Sequence, residues 1–284
     1  MKEVPCCMLL KSFARKIVPT AIWNKARLWR LKSRVRAFPK RVVRHCYMGF
    51  NLDVHLEDPL AAGWYDNDWS NIAPFALMKN SQLRPGARVF YLGAHQGVAA
   101  MLLSCIIGKE GSLIAVEANP HNADVARRNA ERNKLSQMHV INAAAASSPG
   151  HITVSECLNA QIDDGSEGWG CVKVPAVSVD QLSAEHGRPD VLVIDVEGYE
   201  CQVLMGARKT LAHLPDCWTE IHVGCGLEKF GGSWQEVLSY FPESSYERLT
   251  CARDGEGPYL PMSSESIRDR RFFVLAMPHK TKAR

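Results

Sequence analysis

The sequence predicts an α/β protein built on a doubly wound, mainly parallel sheet, and three observations lead there. Short, almost wholly apolar runs at 89–92, 113–116 and 191–194 are separated by segments of helical period, the pattern of strands buried on both faces between helices. Each run ends in glycine or acid: Gly93 after the first, Glu117 after the second, and Asp195-Val-Glu-Gly198 after the third. Ligands of such sheets bind outside the carboxyl ends of the strands, so these residues are expected to share one site.

With 284 residues, 46% hydrophobic and 23% charged, the chain can bury a full core. It divides into an arm (1–40), a hairpin with a lid or helix (41–85) and the α/β domain (86–284). Between Lys11 and Arg44 lie twelve Lys/Arg and no acid, whereas the rest, Lys2 and Glu3 aside, carries 21 basic and 29 acidic residues. Trp23, Arg27 and Arg30 fall at helix-like spacing between Pro19 and Pro39, so the arm reads as a basic amphipathic helix. It either meets an anionic membrane through residues 11–44 or is a solvated helix whose aromatics pack on the main domain. The acidic remainder argues against a nucleic-acid partner. VPCCMLL at 4–10 is too short to span a bilayer and no cleavage pattern follows it. Ten cysteines without a CxxC pair read as thiols of a reducing compartment. The expected location is cytoplasmic, with the arm as a peripheral membrane contact.

In the second segment VVRHCYMGFNLDVHL alternates as a hairpin turning at Met48-Gly49. An aromatic, acidic loop follows at 63–69, then a helix over 71–79. Trp64, Tyr65 and Trp69 read as plugs of a lid or seam rather than as a pocket wall. The third segment opens with strand, glycine loop and an apolar helix from Val98, a geometry that brings backbone and free N–H groups to a ligand. Glu117 falls twenty residues after Gly97, the offset at which a carboxylate accepts both hydroxyls of a ribose. A nucleoside-bearing cofactor is therefore expected. Beyond it come a helix from Pro120, a third strand from Met138, two strands around a polar loop at 164–170, and a short helix from Val179. A helix over 199–211, the strand TEIH (219–222), the helix SWQEVLSYF and the strands YERLT and RFFVLAM complete the domain.

The pieces YLGAHQG, VEANPHNADVARRNAERN, INAAAAS, VSVDQL, LVIDVEGYECQVLMGA and TEIH together resemble the FkbM family of S-adenosylmethionine-dependent methyltransferases, over roughly residues 41–225. The resemblance implies a Rossmann-like methyltransferase sheet of seven strands, S-adenosyl-L-methionine as cofactor, and methyl transfer to a hydroxyl of a sugar, glycolipid or secondary metabolite. Carried over by position, Gly93, Ala94 and Gly97 pass under the methionine and ribose of the cofactor. Tyr91, His95, Ala118 and Asp195 adjoin it, and the backbone at Asn142 and Ala143 borders adenine.

Methyl transfer to an alcohol needs an in-line acceptor oxygen, exclusion of water and removal of a proton. Asp195 is the first candidate for the base or the group orienting the acceptor, with His222 second and Glu197 beside Asp195 on one face of the extended segment. Asp195, Glu197, Glu220 and His222 could also hold a hard divalent cation. The spacing does not require one, and no metal is assigned. Two positions depart from the family pattern: Tyr91 stands where an acid is usual, and His95 where asparagine is usual. A phenol brings no negative charge, so a fold retained as a non-catalytic binding module is the main rival. A nicotinamide-dependent oxidoreductase ranks last, because the loop lacks Gly-x-Gly-x-x-Gly and that reading leaves DVEGYE unexplained.

Overall fold

The computed structural model describes residues 20–155, 157–159, 162, 170–251, 257–263 and 271–279. The first nineteen residues of the basic arm and nearly all of the polar loop expected at 164–170 lie outside them. Among the described residues no helix is long and apolar enough to cross a membrane.

Helix α1 (Thr20–Arg36) precedes a hairpin of β1 (Arg41–Tyr47) and β2 (Phe50–Leu56). Met48 and Gly49 turn the hairpin with φ of 49° and 88°, the two-residue left-handed turn whose twist suits paired strands. Next come α2 (Pro59–Tyr65) and α3 (Ala73–Met78). Asp58 caps α2, its Oδ1 accepting from the Leu60 and Ala61 N–H groups at 2.8 and 2.9 Å, with Pro59 preset at the first helical position. The aromatic loop expected at 63–69 therefore starts as helix, and only its second half is irregular.

The α/β part runs β3 (Arg88–Leu92), α4 (Val98–Ile107), β4 (Ser112–Glu117), α5 (Pro120–Arg132), β5 (Met138–Asn142), β6 (Ala144–Ala145), β7 (Gly150–Ser155), β8 (Cys171–Val177), α6 (Val179–His186) and β9 (Val191–Ile194). It ends with α7 (Glu200–Met205), α8 (Arg208–Leu211), β10 (Asp216–Ile221), α9 (Trp234–Ser239), β11 (Tyr246–Cys251), β12 (Leu260–Pro261) and β13 (Phe272–Pro278). The main sheet has the order β12-β11-β13-β10-β9-β3-β4-β5. It is parallel from β10 to β5 and antiparallel at β13, β11 and β12. The expected seven strands are present, and the two-residue β12 adds an eighth at the edge. Strands β6, β8 and β7 form a separate small sheet.

Alternation along the strands explains their unbroken apolar character. Val89, Tyr91, Leu113, Ala115, Val191 and Val193 share a core with Met101, Leu102 and Leu103 of α4. Phe90, Leu92, Ile114, Val116, Leu192 and Ile194 share the opposite core with Leu182 of α6, Val203 and Leu204 of α7 and Val237 of α9. Each strand is thus apolar on both faces. The helix expected over 199–211 is two helices. The Gly206 carbonyl accepts from Asp180 N–H at 2.8 Å, and the Asp180 carboxylate caps the second helix at Lys209 N–H (3.1 Å) and Thr210 N–H (2.8 Å).

The hairpin docks on α5 instead of extending the main sheet. Asn133 accepts from Asp53 N–H at 2.9 Å and donates to its carbonyl at 2.7 Å. Asn129 accepts from His55 N–H at 2.8 Å and donates to the Gln96 carbonyl at 2.8 Å. Side-chain amides thereby satisfy an edge that a strand would otherwise pair.

Candidate active site

Strands β4 and β9 flank β3, and the chain leaves β3 and β9 toward opposite sides of the sheet. At this switch point the carboxyl ends diverge and leave a crevice. A cavity of about 860 Å³ opens there, lined by Tyr91, Gly93, Ala94 and His95 after β3, Glu117 and Ala118 after β4, Ala143, and Asp195 and Glu197 after β9. That volume is at the upper end of the range of roughly 300–1,000 Å³ usual for small-molecule sites. Trp64, Tyr65 and Trp69, expected as seam plugs, all face it, as does Trp218, stacked on Phe273 with ring centroids 5.5 Å apart. Three of the predicted site residues, Gly97, Asn142 and His222, are not on its wall.

The glycine loop has its own logic. A Cβ on Gly93, whose φ is +85°, would lie 1.6 Å from the Asp195 carbonyl oxygen, so the end of β9 demands a bare backbone here. Gly97 serves packing: a Cβ would meet the Ala126 Cβ at 2.9 Å and the Met138 Cε at 3.1 Å, where α4 lies against α5 and β5. His95 has φ 48°, a left-handed backbone that asparagine, aspartate and histidine tolerate best. Histidine thus meets the same backbone need as the usual asparagine. Its Nε2–H donates to the Leu158 carbonyl at 3.2 Å, so Nδ1 accepts from the Tyr65 hydroxyl at 2.9 Å. Burial holds the His95 pKa down to about 4, and the ring is neutral. Gln96 escaped the sequence reading. It is fully buried and donates to Asp58 Oδ2 at 2.6 Å and Asn122 Oδ1 at 3.2 Å, which ties α2 to the loop. Asp58-Pro59 as a cap signal was the available clue.

Glu117 accepts from the His95 N–H at 2.7 Å and the Asn119 N–H at 2.7 Å, which leaves lone pairs for a ligand. The Asn142 side chain donates to the Glu117 and Ala118 carbonyls at 2.9 and 3.0 Å. It braces the segment that carries Glu117 and has no face on the cavity. Burial pushes the Glu117 pKa up to about 7, against the pull of the backbone donors. Because this acid titrates higher folded than unfolded, it favours the native state at low pH, and that contribution is lost as pH rises from about 4.5 to about 7. The loss is on the order of 3 kcal/mol. Urea unfolding of wild type and Glu117→Gln at pH 5 and pH 8 checks this. The stability difference is expected to move toward the variant at pH 8, and a pH-independent difference would contradict it.

Asp195 and Glu220 stand on adjacent parallel strands, since Thr219 pairs with Ile194. Burial raises the Asp195 pKa well above the usual range, and Glu220 raises it further. Glu220 is also raised by burial, against His222 and Arg271, whose Nε lies 3.0 Å from Glu220 Oε1. Glu197 is held by the Asn159 amide, which donates to its Oε1 at 2.6 Å. The same short segment is pinned by Asn119 to the Cys157 carbonyl at 2.8 Å and by Asn122 to the Leu158 carbonyl at 2.9 Å. No sequence pattern announced this closure. Tyr91 lies where the fields of Asp195, Glu220 and Glu117 meet, and these charges, after burial, raise its phenol pKa. Carboxyl groups thus already surround position 91, and an acid there would add another to one buried cluster.

His222 corrects the sequence reading. Burial alone would lower its pKa, but the bond with Glu200 and the charges of Glu200, Glu197 and Asp195 lift it to about 10. It is 1% exposed, behind the carboxylates. Its Nδ1 is committed to Glu200 and its Nε2 lies behind the carboxylates, off the cavity wall, so it does not reach an acceptor's hydroxyl, and Asp195 is left as the base candidate. Glu200, which the helix dipole alone would explain, accepts from His222 Nδ1 at 2.7 Å and from the Gly198 N–H at 2.9 Å.

The sequence profile described as Methyltransferase FkbM domain matches residues 92–248, more than half of the chain. Among solved structures, an FkbM methyltransferase from Methylobacillus flagellatus KT is 15% identical with a TM-score of 0.44, over 66% of this chain and 43% of that one. The chain therefore spans less than half the length of that relative. An S-adenosylmethionine-dependent methyltransferase from Aquifex aeolicus is 14% identical with a TM-score of 0.42, over 77% of this chain and 93% of that one. Fibrillarin from Aeropyrum pernix, with natively bound S-adenosyl-L-methionine, is 14% identical with a TM-score of 0.42, over 85% of this chain and 84% of that one. A search of curated proteins gives no match.

Proposed function

The chain belongs to the FkbM methyltransferase family, and from that premise we propose that it moves a methyl group from S-adenosyl-L-methionine to a hydroxyl oxygen of a sugar, glycolipid or secondary metabolite. The observation that carries this reading is one cavity lined together by Glu117, the 93–95 segment, Asp195 and an aromatic wall. When bound, the cofactor supplies an electrophilic methyl on a cationic sulfur. Gly93, Ala94 and His95 pass beneath its methionine and ribose, Glu117 accepts the ribose hydroxyls, and Ala118 and Ala143 border the base. Asp195 accepts the acceptor's hydroxyl proton as attack proceeds. Trp64, Trp69 and Trp218 offer flat apolar faces for a sugar ring or a similar body and keep water out.

Calorimetric titration with S-adenosylhomocysteine tests the cofactor assignment. A single saturating isotherm is expected, and absence of heat from folded protein would sink it. In the same assay Tyr91→Asp is expected to bind at least roughly tenfold more weakly, by adding buried charge. Tighter binding would show instead that Tyr91 is a degraded family position.

For the arm, an anionic bilayer is the partner favoured. Trp29 is 70% exposed on a helix whose Lys25, Arg30, Lys32, Arg34 and Arg36 are all exposed and which holds no acid. Co-sedimentation with phosphatidylserine vesicles that falls with added salt is expected. Equal pelleting of a chain truncated to begin at Arg41 would contradict it.

A further inference from the structure

We propose that Asp195, Glu220 and His222 bind one divalent cation of the Mn²⁺ or Mg²⁺ kind at the edge of the cavity. Each offers one ligand atom, and these atoms lie within 4.8 Å of one another. Clustered acids alone would argue little; His222 is the second observation. Its side chain is 1% exposed and, among the described residues, its Nε2 has no hydrogen-bond partner. That nitrogen is aimed at Glu220 Oε1 and Glu197 Oε2, each 3.5 Å away, and at Asp195 Oδ1, 3.9 Å away. The other ring nitrogen is committed to Glu200 Oε1 at 2.7 Å, and Glu200 is itself fully buried. A histidine anchored to a carboxylate through one nitrogen presents the other as a ligand, which is how metal-binding histidines are oriented.

The donor set names the ion class. Two carboxylates with a third in reach favour a hard cation, and the imidazole adds preference for a first-row ion over calcium. Adjacent ligands of a six-coordinate ion lie about 3 Å apart when each is about 2.1 Å away, so these atoms need to draw in only slightly. Arg271, 3.0 Å from Glu220 Oε1 and 41% exposed, is the cation that would share or yield that oxygen. Asp195 and Glu220 line the cavity while His222 backs them, so the ion's remaining positions would face an incoming ligand. An acceptor with two neighbouring oxygens fits that arrangement, with one hydroxyl bound to the ion and made more acidic. This last role rests on the methyl-transfer reading; the site itself does not.

The test uses the full chain, chelator-treated and desalted, titrated with MnCl₂ alone while free Mn²⁺ is followed by electron paramagnetic resonance. No cofactor or acceptor is added, so the outcome is independent of the S-adenosylhomocysteine titration. One equivalent of Mn²⁺ is expected to leave the free signal. Glu220→Gln and His222→Asn should abolish that uptake, and Glu200→Gln should weaken it about 10–100-fold. Glu185→Gln, on the exposed side of α6, should bind as wild type does. Circular dichroism establishes that each variant is folded; should His222→Asn not fold, the isosteric Glu220→Gln carries the comparison. The rival is that protonated His222 is itself the counter-cation of the acids. A full free signal at millimolar Mn²⁺, or uptake retained in folded Glu220→Gln, would overturn the proposal.

Discussion

Asp195→Asn is expected to lower the rate of methyl transfer by about 10²–10⁴-fold and to leave KM for S-adenosylmethionine unchanged. The substitution keeps the size of the side chain, so the approach of Gly93 to the residue 195 backbone survives. It removes the cavity-facing carboxylate at the end of β9, next to the strand that carries Glu220. An equal fall in kcat and kcat/KM would mark an interaction made only in the transition state. The measurement is single-turnover transfer to an acceptor found by screening sugars and lipid-linked sugars. Unchanged turnover would remove Asp195 from the chemistry. Biological activity that persists without turnover would favour a binding module on the same fold.

Gly93→Ala is expected to be worse for the protein than for its chemistry. Its Cβ would fall 1.6 Å from the Asp195 carbonyl oxygen, and no side-chain rotation relieves a collision between backbones. The neighbouring amides leave little slack, since Gly93 and Ala94 N–H both donate to the Val116 carbonyl and Asp195 N–H donates to the Leu92 carbonyl. A cost of about 4 kcal/mol or more belongs to this kind of change, enough to unfold a domain of ordinary stability. Gly97→Ala is milder, because it meets the Ala126 Cβ and a flexible Met138 side chain at 2.9 and 3.1 Å. Soluble yield and urea unfolding of the two variants rank them. A Gly93→Ala protein with wild-type unfolding would refute the argument.

Much of the fold was legible because strand and helix periods are clean in this chain. Residues 89–92 and 113–116 send alternate side chains into two cores, and a strand of that kind has one reading. The break at Gly206 was not legible, because the group that causes it, Asp180, lies in a different helix. In the site, strand ends located Glu117 and Asp195 within the sequence, since position along a buried strand decides which residue emerges at its edge. The roles of the supporting residues were hidden for a common reason. Gln96, Asn122, Asn142 and Glu200 act through hydrogen bonds to distant partners, and composition does not encode those partners. His222 was visible as a residue but not as part of a buried cluster, because Asp195, Glu197 and Glu200 reach it from other elements.

The amide of Asn129 touches two things at once, the β2 backbone at His55 and the glycine-loop backbone at Gln96. A chain cut at residue 86 would leave that amide half unpaired. It would also strip Asn133 of both its bonds to Asp53 and Gln96 of Asp58. Each orphaned buried group costs roughly 1–3 kcal/mol. The smallest piece that unfolds in a single step therefore reaches back to the hairpin, and limited proteolysis of the native chain should spare the stretch between Arg41 and Gly86.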